Sequence, residues 1–247
     1  MQNQQGRQLI LNFPARPEYS FDNFVVSEGS RFAVDAARRI ASGGALPYHS
    51  LYLYGGEHLG KTHLLIAIGN RVAQTFPDKQ ILYVPCEEFV RQIDNGEEAA
   101  SLSALRIAGA DCFLLDDVDR IAGRLAAQEK LYFIYNALTE GKKIIVFTGR
   151  QAPDLLTGAE SYLTSRLRWG MTAGIQPIDD ATTAKIIQKL GRDVGLEIPG
   201  KVIDYLLTRV PRDFTSIRDC VTRIDRESYQ QKQKVSLKLA KAALGLF

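Results

Sequence analysis

The sequence of 247 residues lacks the features that mark several classes of protein. Its three cysteines, Cys86, Cys112 and Cys220, are widely spaced and form no C-x-x-C pair, which argues against a disulfide framework and a zinc knuckle. The N-terminus is polar where a signal peptide has an apolar core, and no apolar run approaches the length of a membrane span. The net charge of +3 is too small to indicate nucleic-acid binding by itself. These absences predict a cytoplasmic protein that does not bind membranes.

A glycine-rich stretch carries the clearest chemical signal. It fits the pattern G-x-x-x-x-G-K-[ST] of a phosphate-binding loop and consists of Gly55, Gly56, Glu57, His58, Leu59, Gly60, Lys61 and Thr62. The apolar run 51–54 before it is typical of a buried parallel strand, and the run 63–68 after it is typical of a buried helix. In such a loop backbone N–H groups surround phosphate oxygens, Lys61 reaches the β- and γ-phosphates, and the Thr62 hydroxyl ligates Mg²⁺. The stretch therefore predicts nucleotide binding.

Acidic and polar side chains follow two further apolar runs. The run 112–115 ends in Asp116 and Asp117, an arrangement typical of a Walker B strand. There Asp116 binds the metal and the next acid orients or activates the attacking water. Thr148 follows the run 144–147 and either holds the γ-phosphate or the lytic water, or belongs to an ordinary turn.

The order of the elements predicts the fold class. Strand-like runs at 51–54, 81–84, 112–115 and 144–147 alternate with helices, which predicts an α/β domain with a parallel sheet flanked by helices. Beyond residue 177 helical patterns at 182–192, 201–209, 214–230 and 237–244 predict a small all-helical domain. We therefore predict an extended arm over residues 1–20, a nucleotide-binding α/β domain over 21–176 and a helical domain over 177–247.

Two surface features each allow two interpretations. The apolar group in the arm, Leu9, Ile10, Leu11 and Phe13, either docks in a partner's groove as a linear motif or packs across the domain, and the pattern alone favours packing. Arg166 and Arg168 beside Trp169 either form cation–π or ion-pair contacts, or present a guanidinium to a neighbour's phosphate.

Together these motifs resemble the AAA+ ATPases, and more narrowly the ATPase module of the DnaA family. The resemblance runs from about residue 19 to the end. It is carried by F-D-N-F-V at 21–25, L-Y-G-G at 53–56, L-G-K-T-H-L-L at 59–65, L-L-D-D at 114–117, Y-N-A-L at 135–138 and S-R-L-R-W-G at 165–170.

The resemblance implies a P-loop AAA+ sheet followed by a lid domain, with ADP or ATP and Mg²⁺ as cofactors. The implied nucleotide contacts are the loop itself, Phe24 and Val25 near the base, Thr148, and Thr215 at the position of the family's sensor-2 arginine. The implied metal ligands are Thr62 and Asp116. Arg166 matches the arginine finger that acts in trans on a neighbouring subunit's γ-phosphate, and Arg168 is the second candidate.

The arm narrows the resemblance to regulators of the Hda type. Gln8, Leu9, Leu11 and Phe13 resemble the peptides that bind the sliding clamp of DNA polymerase III. The implied partners are the initiator DnaA, the clamp, and DNA indirectly through the clamp, and a homodimer or higher oligomer is possible. The implied activity is stimulation of hydrolysis of the initiator's ATP. Because the sequence ends at Phe247, we expect no domain that reads origin DNA.

Two departures from the family qualify the expected activity. Asp117 stands where many AAA+ enzymes have glutamate, so we expect slow intrinsic ATP hydrolysis. Thr215 replaces a charged residue, and either Arg212 or Arg218 could substitute for it from about one helical turn away. The alternatives to a regulator are a nucleotide-dependent interaction module without chemistry and a helicase loader.

Overall fold

The computed structural model describes residues 13, 15, 16, 18–43, 48–96, 107 and 109–245. They fall into two compact units, one bounded by Met1–Phe24 and Arg31–Ile175, the other by Val25–Ser30 and Gln176–Phe247. The break after Ile175 lies beside the predicted domain boundary. The segment Val25–Ser30 packs with the second unit, although its place in the sequence predicts membership of the nucleotide-binding domain.

The first unit alternates helices and strands. Its main elements in the described residues are α1 (Arg31–Ala41), β1 (Ser50–Gly55), α2 (Lys61–Thr75), β2 (Ile81–Pro85), α3 (Cys86–Asp94), β3 (Cys112–Asp116), α4 (Leu125–Glu140), β4 (Ile144–Gly149), α5 (Ser161–Trp169) and β5 (Met171–Ile175). Short 3₁₀ turns follow β3 and β4 at Val118–Ile121 and Pro153–Leu155. The strand β5 and the helix α5 were not predicted from the sequence.

The strands form a five-stranded sheet in the order β2-β3-β4-β1-β5. Every pairing is parallel, with Leu53 opposite Thr148 and Leu115 opposite Phe147. Because parallel strands end at the same edge of a sheet, the phosphate-binding loop after β1, the acids at the end of β3 and Thr148 on β4 all lie at that edge. The predicted α/β class with a parallel sheet is confirmed.

Side chains that alternate along the strands build a hydrophobic core on each face of the sheet. Leu51, Leu53 and Leu114 point to the face covered by α1 and α2. Tyr52 and Phe113 point to the opposite face, where residues of α3, α4 and α5 cover them. Burial on both faces explains why these strands read as continuous apolar runs in the sequence.

The second unit is helical, as predicted. Its helices are α6 (Asp180–Asp193), α7 (Gly200–Leu207), α8 (Phe214–Gln231) and α9 (Leu237–Leu244). They pack around a core that includes Ile187, Leu206 and Ile224. Side chains cap the N-termini of α6 and α8: the Asp179 carboxylate accepts from the Thr182 amide at 2.7 Å, and the Asp213 carboxylate accepts from the Ser216 amide at 2.8 Å.

Within the described residues, no helix combines the length and the apolar character needed to cross a bilayer.

Candidate functional site

The phosphate-binding loop adopts a conformation that requires glycine at two positions. Gly60 has a left-handed backbone with φ of 92°, and a Cβ there would lie 2.6 Å from Cε2 of Phe24. A Cβ at Gly55 would collide with the carbonyl oxygen of Ile175 on the neighbouring strand. The loop then enters α2 at Lys61, so its backbone amides lie at the positive end of a helix dipole.

Lys61 is buried at the start of α2. Its Nζ donates to the carbonyl oxygen of Gly56 at 2.7 Å, across the loop. Burial lowers the pKa of this ammonium group, while the carboxylates of Asp117 and Asp116 act in the opposite direction. The lysine is thus held at the loop, as its predicted role in phosphate binding requires.

At the end of β3, the Asp116 carboxylate accepts hydrogen bonds from three hydroxyl groups. Its carboxylate accepts from Thr62 at 2.9 Å, from Tyr83 at 2.9 Å and from Thr148 at 2.5 Å. Burial raises the pKa of this carboxyl, and the hydrogen bonds from Thr148 and Thr62 oppose that shift. The structure thus brings together the predicted metal ligands Thr62 and Asp116 and the predicted nucleotide contact Thr148.

The residues of this cluster suit Mg²⁺. Carboxylate and hydroxyl oxygens are hard ligands, and Mg²⁺ in nucleotide sites takes few protein ligands and fills its octahedron with water and phosphate oxygens. The described part of the chain contains no cluster of three or more His, Cys, Asp or Glu side chains that could hold a metal without such help. Thr62 and Asp116 therefore fit a metal that arrives with a nucleotide.

The backbone of Asp117 is held in place by Thr148. Its amide donates to the Thr148 hydroxyl at 2.8 Å, and that hydroxyl in turn donates to Asp116. Asp117 itself has a left-handed backbone with φ of 56°. Thr148 is fully buried and uses its hydroxyl as both donor and acceptor, so it sets the positions of both acids.

Further contacts surround the loop. Glu57 forms an exposed ion pair with Arg150 at 2.8 Å, and the Arg150 amide donates to the Asp119 carboxylate. The Nε2–H of His63 donates to the carbonyl oxygen of Ser20 at 2.7 Å. These contacts tie the loop to the ends of neighbouring elements.

The remaining predicted nucleotide contacts divide between the two units. Phe24 belongs to the first unit, beside Gly60, whereas Val25 and Thr215 belong to the second. Thr215 lies in the first turn of α8. Of the two arginines predicted to substitute for a sensor, Arg212 is ion-paired with Asp180 at 2.6 Å, and Arg218 is exposed.

The described part of the arm is attached to α2. The Asn70 side chain accepts from the Ala15 amide at 2.7 Å and donates to the carbonyl oxygens of Ala15 at 2.8 Å and Tyr19 at 2.9 Å. Phe13 is half-buried against the core of the first unit and covers Gly69. The other residues of the predicted clamp-binding peptide, Gln8, Leu9 and Leu11, lie outside the described residues.

Arg166 lies on α5 in a frame of polar and aromatic groups. Its Nε–H donates to Oδ1 of Asn136 on α4 at 2.9 Å. Its guanidinium carbon lies 4.6 Å from the ring centre of Trp169 and 5.4 Å from that of Tyr132. The Trp169 side chain is 70% exposed, so this frame is on the surface.

The two candidate fingers differ in their charge environment. Arg168 is paired with the carboxylate of Asp154 at 2.7 Å. Among the residues that the structure describes, no carboxylate forms an ion pair with Arg166. Within the described residues, the positive charge of Arg166 is therefore not paired with a carboxylate, and an unpaired guanidinium can form charge-assisted hydrogen bonds to a phosphate.

Comparison with known proteins identifies the family. Residues 15–174 match the family model described as the bacterial DnaA ATPase domain. The chain belongs to this DnaA family. Residues 180–244 match a second model, described as the lid domain of Hda. The predicted AAA+ fold with a helical lid and the predicted kinship with DnaA and Hda are confirmed.

Individual members of the DnaA family are similar to this chain in sequence and in structure. The DnaA proteins of Symbiobacterium thermophilum and Magnetococcus marinus are each 34% identical over 230 residues, 92% of this chain. The chain spans about half the length of these relatives. Among solved structures, domain III of Thermotoga maritima DnaA superposes with a TM-score of 0.82 at 31% identity, covering 94% of this chain and 98% of that one. An AMPPCP-bound DnaA from Aquifex aeolicus superposes with a TM-score of 0.77 at 28% identity, covering 87% and 67%.

Several residues of this DnaA-family site were not assigned a role from the sequence. Tyr83 donates to Asp116 from the adjacent strand β2, and its only sequence signal is a tyrosine within an aliphatic run. Asn136 belongs to the Y-N-A-L stretch that resembles the family, yet nothing in the pattern links it to Arg166. Tyr132 lies four residues before Asn136, a spacing that places both side chains on one helix face.

Proposed function

We propose that this chain is a regulator of replication initiation that stimulates hydrolysis of ATP bound to the initiator DnaA. In this proposal Arg166 reaches the γ-phosphate of the initiator's nucleotide in trans. A guanidinium in that position stabilises charge that develops on the phosphoryl group in the transition state, and it contributes about 10³–10⁵ in rate in comparable systems.

The observation that carries the proposal is the state of Arg166. It is on the surface, it is oriented by Asn136, and no ion pair with a carboxylate occupies it within the described residues. The competing candidate Arg168 is engaged with Asp154. Membership of the DnaA family supports the choice of a DnaA protein as the partner.

The chain's own nucleotide has a different role in this proposal. Its loop would hold ADP or ATP through the backbone amides and Lys61, and Thr62 and Asp116 would hold a Mg²⁺ ion, which would neutralise phosphate charge. Asp117 is the candidate for orienting water, but its side chain is one methylene shorter than that of the glutamate found in many AAA+ enzymes. We therefore infer slow hydrolysis at this site, and a nucleotide that serves mainly to fix the conformation of the domain.

In this proposal the N-terminal arm determines where the regulator acts. We propose that Gln8, Leu9, Leu11 and Phe13 bind the sliding clamp on DNA, which concentrates the regulator where the initiator meets the replication machinery.

Release of phosphate from ATP-loaded DnaA, with and without clamp loaded on DNA, tests the proposal. We expect the wild-type chain to accelerate release in a clamp-dependent manner, and Arg166→Ala to abolish most of that acceleration, by about 10³-fold or more. Arg168→Ala is the matched control, since it removes a neighbouring arginine that is already paired, and it should retain activity.

Each alternative gives a different result. If Arg166→Ala stimulates phosphate release as well as the wild type, the assignment of Arg166 as the arginine finger is wrong. The interaction module without chemistry is then favoured. If Leu9→Ala with Leu11→Ala leaves clamp dependence intact while the chain binds the replicative helicase, the helicase-loader alternative is favoured. A loss confined to Arg168→Ala would transfer the role to that residue.

A further inference from the structure

One ion pair connects the phosphate-binding loop to the end of β4. Nη2 of Arg150 lies 2.8 Å from Oε1 of Glu57, and both side chains are about half exposed to solvent. Arg150 follows Thr148 by two residues, and its amide donates to both carboxylate oxygens of Asp119, at 2.8 and 3.0 Å. The backbone from which the guanidinium extends is thus held in place, whereas the ion pair of the guanidinium is of a kind that contributes little when exposed.

The charge of Arg150 acts on the lysine of the loop. Burial is the main cause of the lowered pKa of Lys61, and the positive charge of Arg150 acts in the same direction, against nearby carboxylates. Arg150 is therefore within electrostatic range of the group that is predicted to bind phosphate. A phosphate at the loop would be a stronger partner for Arg150 than Glu57 is, because it offers several charged oxygens to the planar guanidinium.

The ion pair joins the two elements from which contacts to the terminal phosphate are predicted. Lys61 of the loop is predicted to reach the β- and γ-phosphates, and Thr148 on β4 is predicted to contact the γ-phosphate or the lytic water. Arg150 extends from the chain just beyond Thr148 and meets the loop at Glu57. A phosphate that contacts both elements therefore competes with Glu57 for the guanidinium of Arg150.

Arg150 differs from the two arginines that the sequence predicts as substitutes at the sensor position. Arg212 forms an ion pair with Asp180 at 2.6 Å, and Arg218 is exposed. Both belong to the second unit, whereas Arg150 belongs to the same unit as the loop. The contact of Arg150 with the loop is thus made within one compact unit.

We propose that Arg150 and Glu57 determine how the loop discriminates a nucleoside triphosphate from a diphosphate: a γ-phosphate displaces Glu57 from the guanidinium of Arg150, whereas a diphosphate leaves the pair intact. Glu57 opposes triphosphate binding, because it holds the guanidinium and places a negative charge at the loop. Arg150 favours triphosphate binding. This inference rests on the part of the proposed function in which the loop holds a nucleotide, and it does not involve Arg166.

Two substitutions should change the affinity for a triphosphate in opposite directions. Arg150→Ala removes the group that binds the γ-phosphate, and loss of a hydrogen bond to a charged group corresponds to an increase of about 10- to 100-fold in the dissociation constant. Glu57→Gln keeps the shape of the side chain but removes its charge, and so releases Arg150. It should tighten triphosphate binding about two- to fivefold, which corresponds to the contribution of an exposed ion pair. The dissociation constant of ADP should change by less than about twofold in both variants.

Isothermal titration calorimetry of the purified chain measures the dissociation constants of AMPPCP and ADP in the presence of Mg²⁺. AMPPCP is the triphosphate probe because its γ-phosphate resists hydrolysis. Arg124→Ala is the matched control: Arg124 is a similarly exposed arginine of the same unit, and it is paired with Asp94 at 3.7 Å. Its loss should leave the ratio of the two dissociation constants unchanged.

A second measurement observes the guanidinium directly. In the chain labelled with ¹⁵N-arginine, the side-chain signals of Arg150 should shift on addition of AMPPCP and shift much less on addition of ADP. Glu57→Gln should shift the same signals before any nucleotide is added, because the ion pair is then absent. Thermal denaturation without nucleotide should give nearly the same midpoint for the wild type and Arg150→Ala, since an exposed ion pair contributes little to stability.

The outcomes separate this inference from the proposed function. If Arg150→Ala weakens AMPPCP and ADP equally, or weakens neither, discrimination through Arg150 is refuted while nucleotide binding by the loop stands. If Glu57→Gln leaves the affinity for AMPPCP unchanged, competition by Glu57 is refuted. If the wild-type chain binds neither nucleotide, the proposed role of the loop fails together with this inference. Phosphate release from DnaA with Arg166→Ala tests the trans-acting finger independently of all these results.

Discussion

Replacing Gly69 by alanine tests whether Phe13 holds the N-terminal arm on the first unit. Gly69 is buried on α2 beneath the half-buried Phe13 ring. A Cβ at this position would lie 2.6 Å from Cζ and 2.9 Å from Cδ1 of that ring, and closer still to Cε1. Atoms not bonded to each other do not approach so closely, so the ring has to leave, while the helical backbone accepts alanine without strain.

Two opposing effects set the magnitude. Alanine in place of glycine stabilises a helix by about 1 kcal/mol. Full burial of a phenylalanine side chain contributes about 1.5–3 kcal/mol, so displacement of a half-buried ring costs about 1–1.5 kcal/mol. We therefore expect Gly69→Ala to change the free energy of unfolding by less than about 0.5 kcal/mol in the native sequence, and to raise it by about 1 kcal/mol when Phe13→Ala is already present.

Urea denaturation of the wild type, the two single variants and the double variant measures the coupling. The reasoning predicts a coupling free energy of about 1–1.5 kcal/mol between the two positions. If Gly69→Ala raises the stability by the same amount in both backgrounds, the two positions are independent and Phe13 does not pack on α2 in solution.

The same variant bears on the proposed clamp peptide, since Phe13 belongs to it. If the ring must leave Gly69 before it enters a partner's groove, Gly69→Ala removes that competition. The affinity of the chain for the clamp should then increase about five- to tenfold, which corresponds to the free energy above. An unchanged affinity would show that clamp binding does not draw on the docked ring.

Other predictions concern the buried amide, the loop and the sheet. Asn70→Ala leaves buried backbone groups of the arm without partners and should lower the free energy of unfolding by about 2–4 kcal/mol in the same denaturation assay; a loss below about 0.5 kcal/mol would contradict the contacts with Ala15. Lys61→Ala should abolish binding of a fluorescent ADP analogue while leaving the far-UV circular dichroism spectrum unchanged, and retained binding would refute the role of the loop lysine. Asp111 accepts from Lys143 at 2.7 Å and from a backbone amide, which lowers its pKa below the ordinary 3.8. Because the folded state holds this carboxyl ionised more firmly than the unfolded state does, its stabilisation is fully present above about pH 4 and is lost as the pH falls through the lowered pKa. The stability difference between the wild type and Asp111→Asn should therefore be constant from neutral pH to mildly acidic pH and shrink below about pH 4 in denaturation curves.

Much of the nucleotide site could be predicted because its residues carry local patterns. The loop, Asp116 and Thr148 each follow an apolar run, and parallel pairing places the ends of such runs at one edge of a sheet. The strand β5 could not be recognised in the same way. Its sequence, M-T-A-G-I, contains glycine and small residues and is buried only in part, so it lacks the apolar signal of the central strands.

Contacts between elements distant in the sequence could not be predicted. Neither the hydrogen bonds of Asn70 to the arm nor the bond of Asn136 to Arg166 follows from a spacing, since each depends on how helices pack. The segment Val25–Ser30 shows the same limit at the level of domains. From its place in the sequence, this segment is assigned to the unit that surrounds it. Its packing places it in the helical unit instead.

The left-handed backbone at Asp117 constrains which residues can occupy that position. This conformation costs most L-amino acids about 1–2 kcal/mol, and aspartate and asparagine tolerate it because their short polar side chains bond locally. The path of the backbone thus favours aspartate over glutamate at this position, before any catalytic demand is considered. Replacing Asp117 by glutamate would lengthen the acidic side chain, but it would also disfavour the left-handed backbone that presents the Asp117 amide to Thr148. The length of the side chain and the geometry of the backbone therefore cannot be optimised separately at this position.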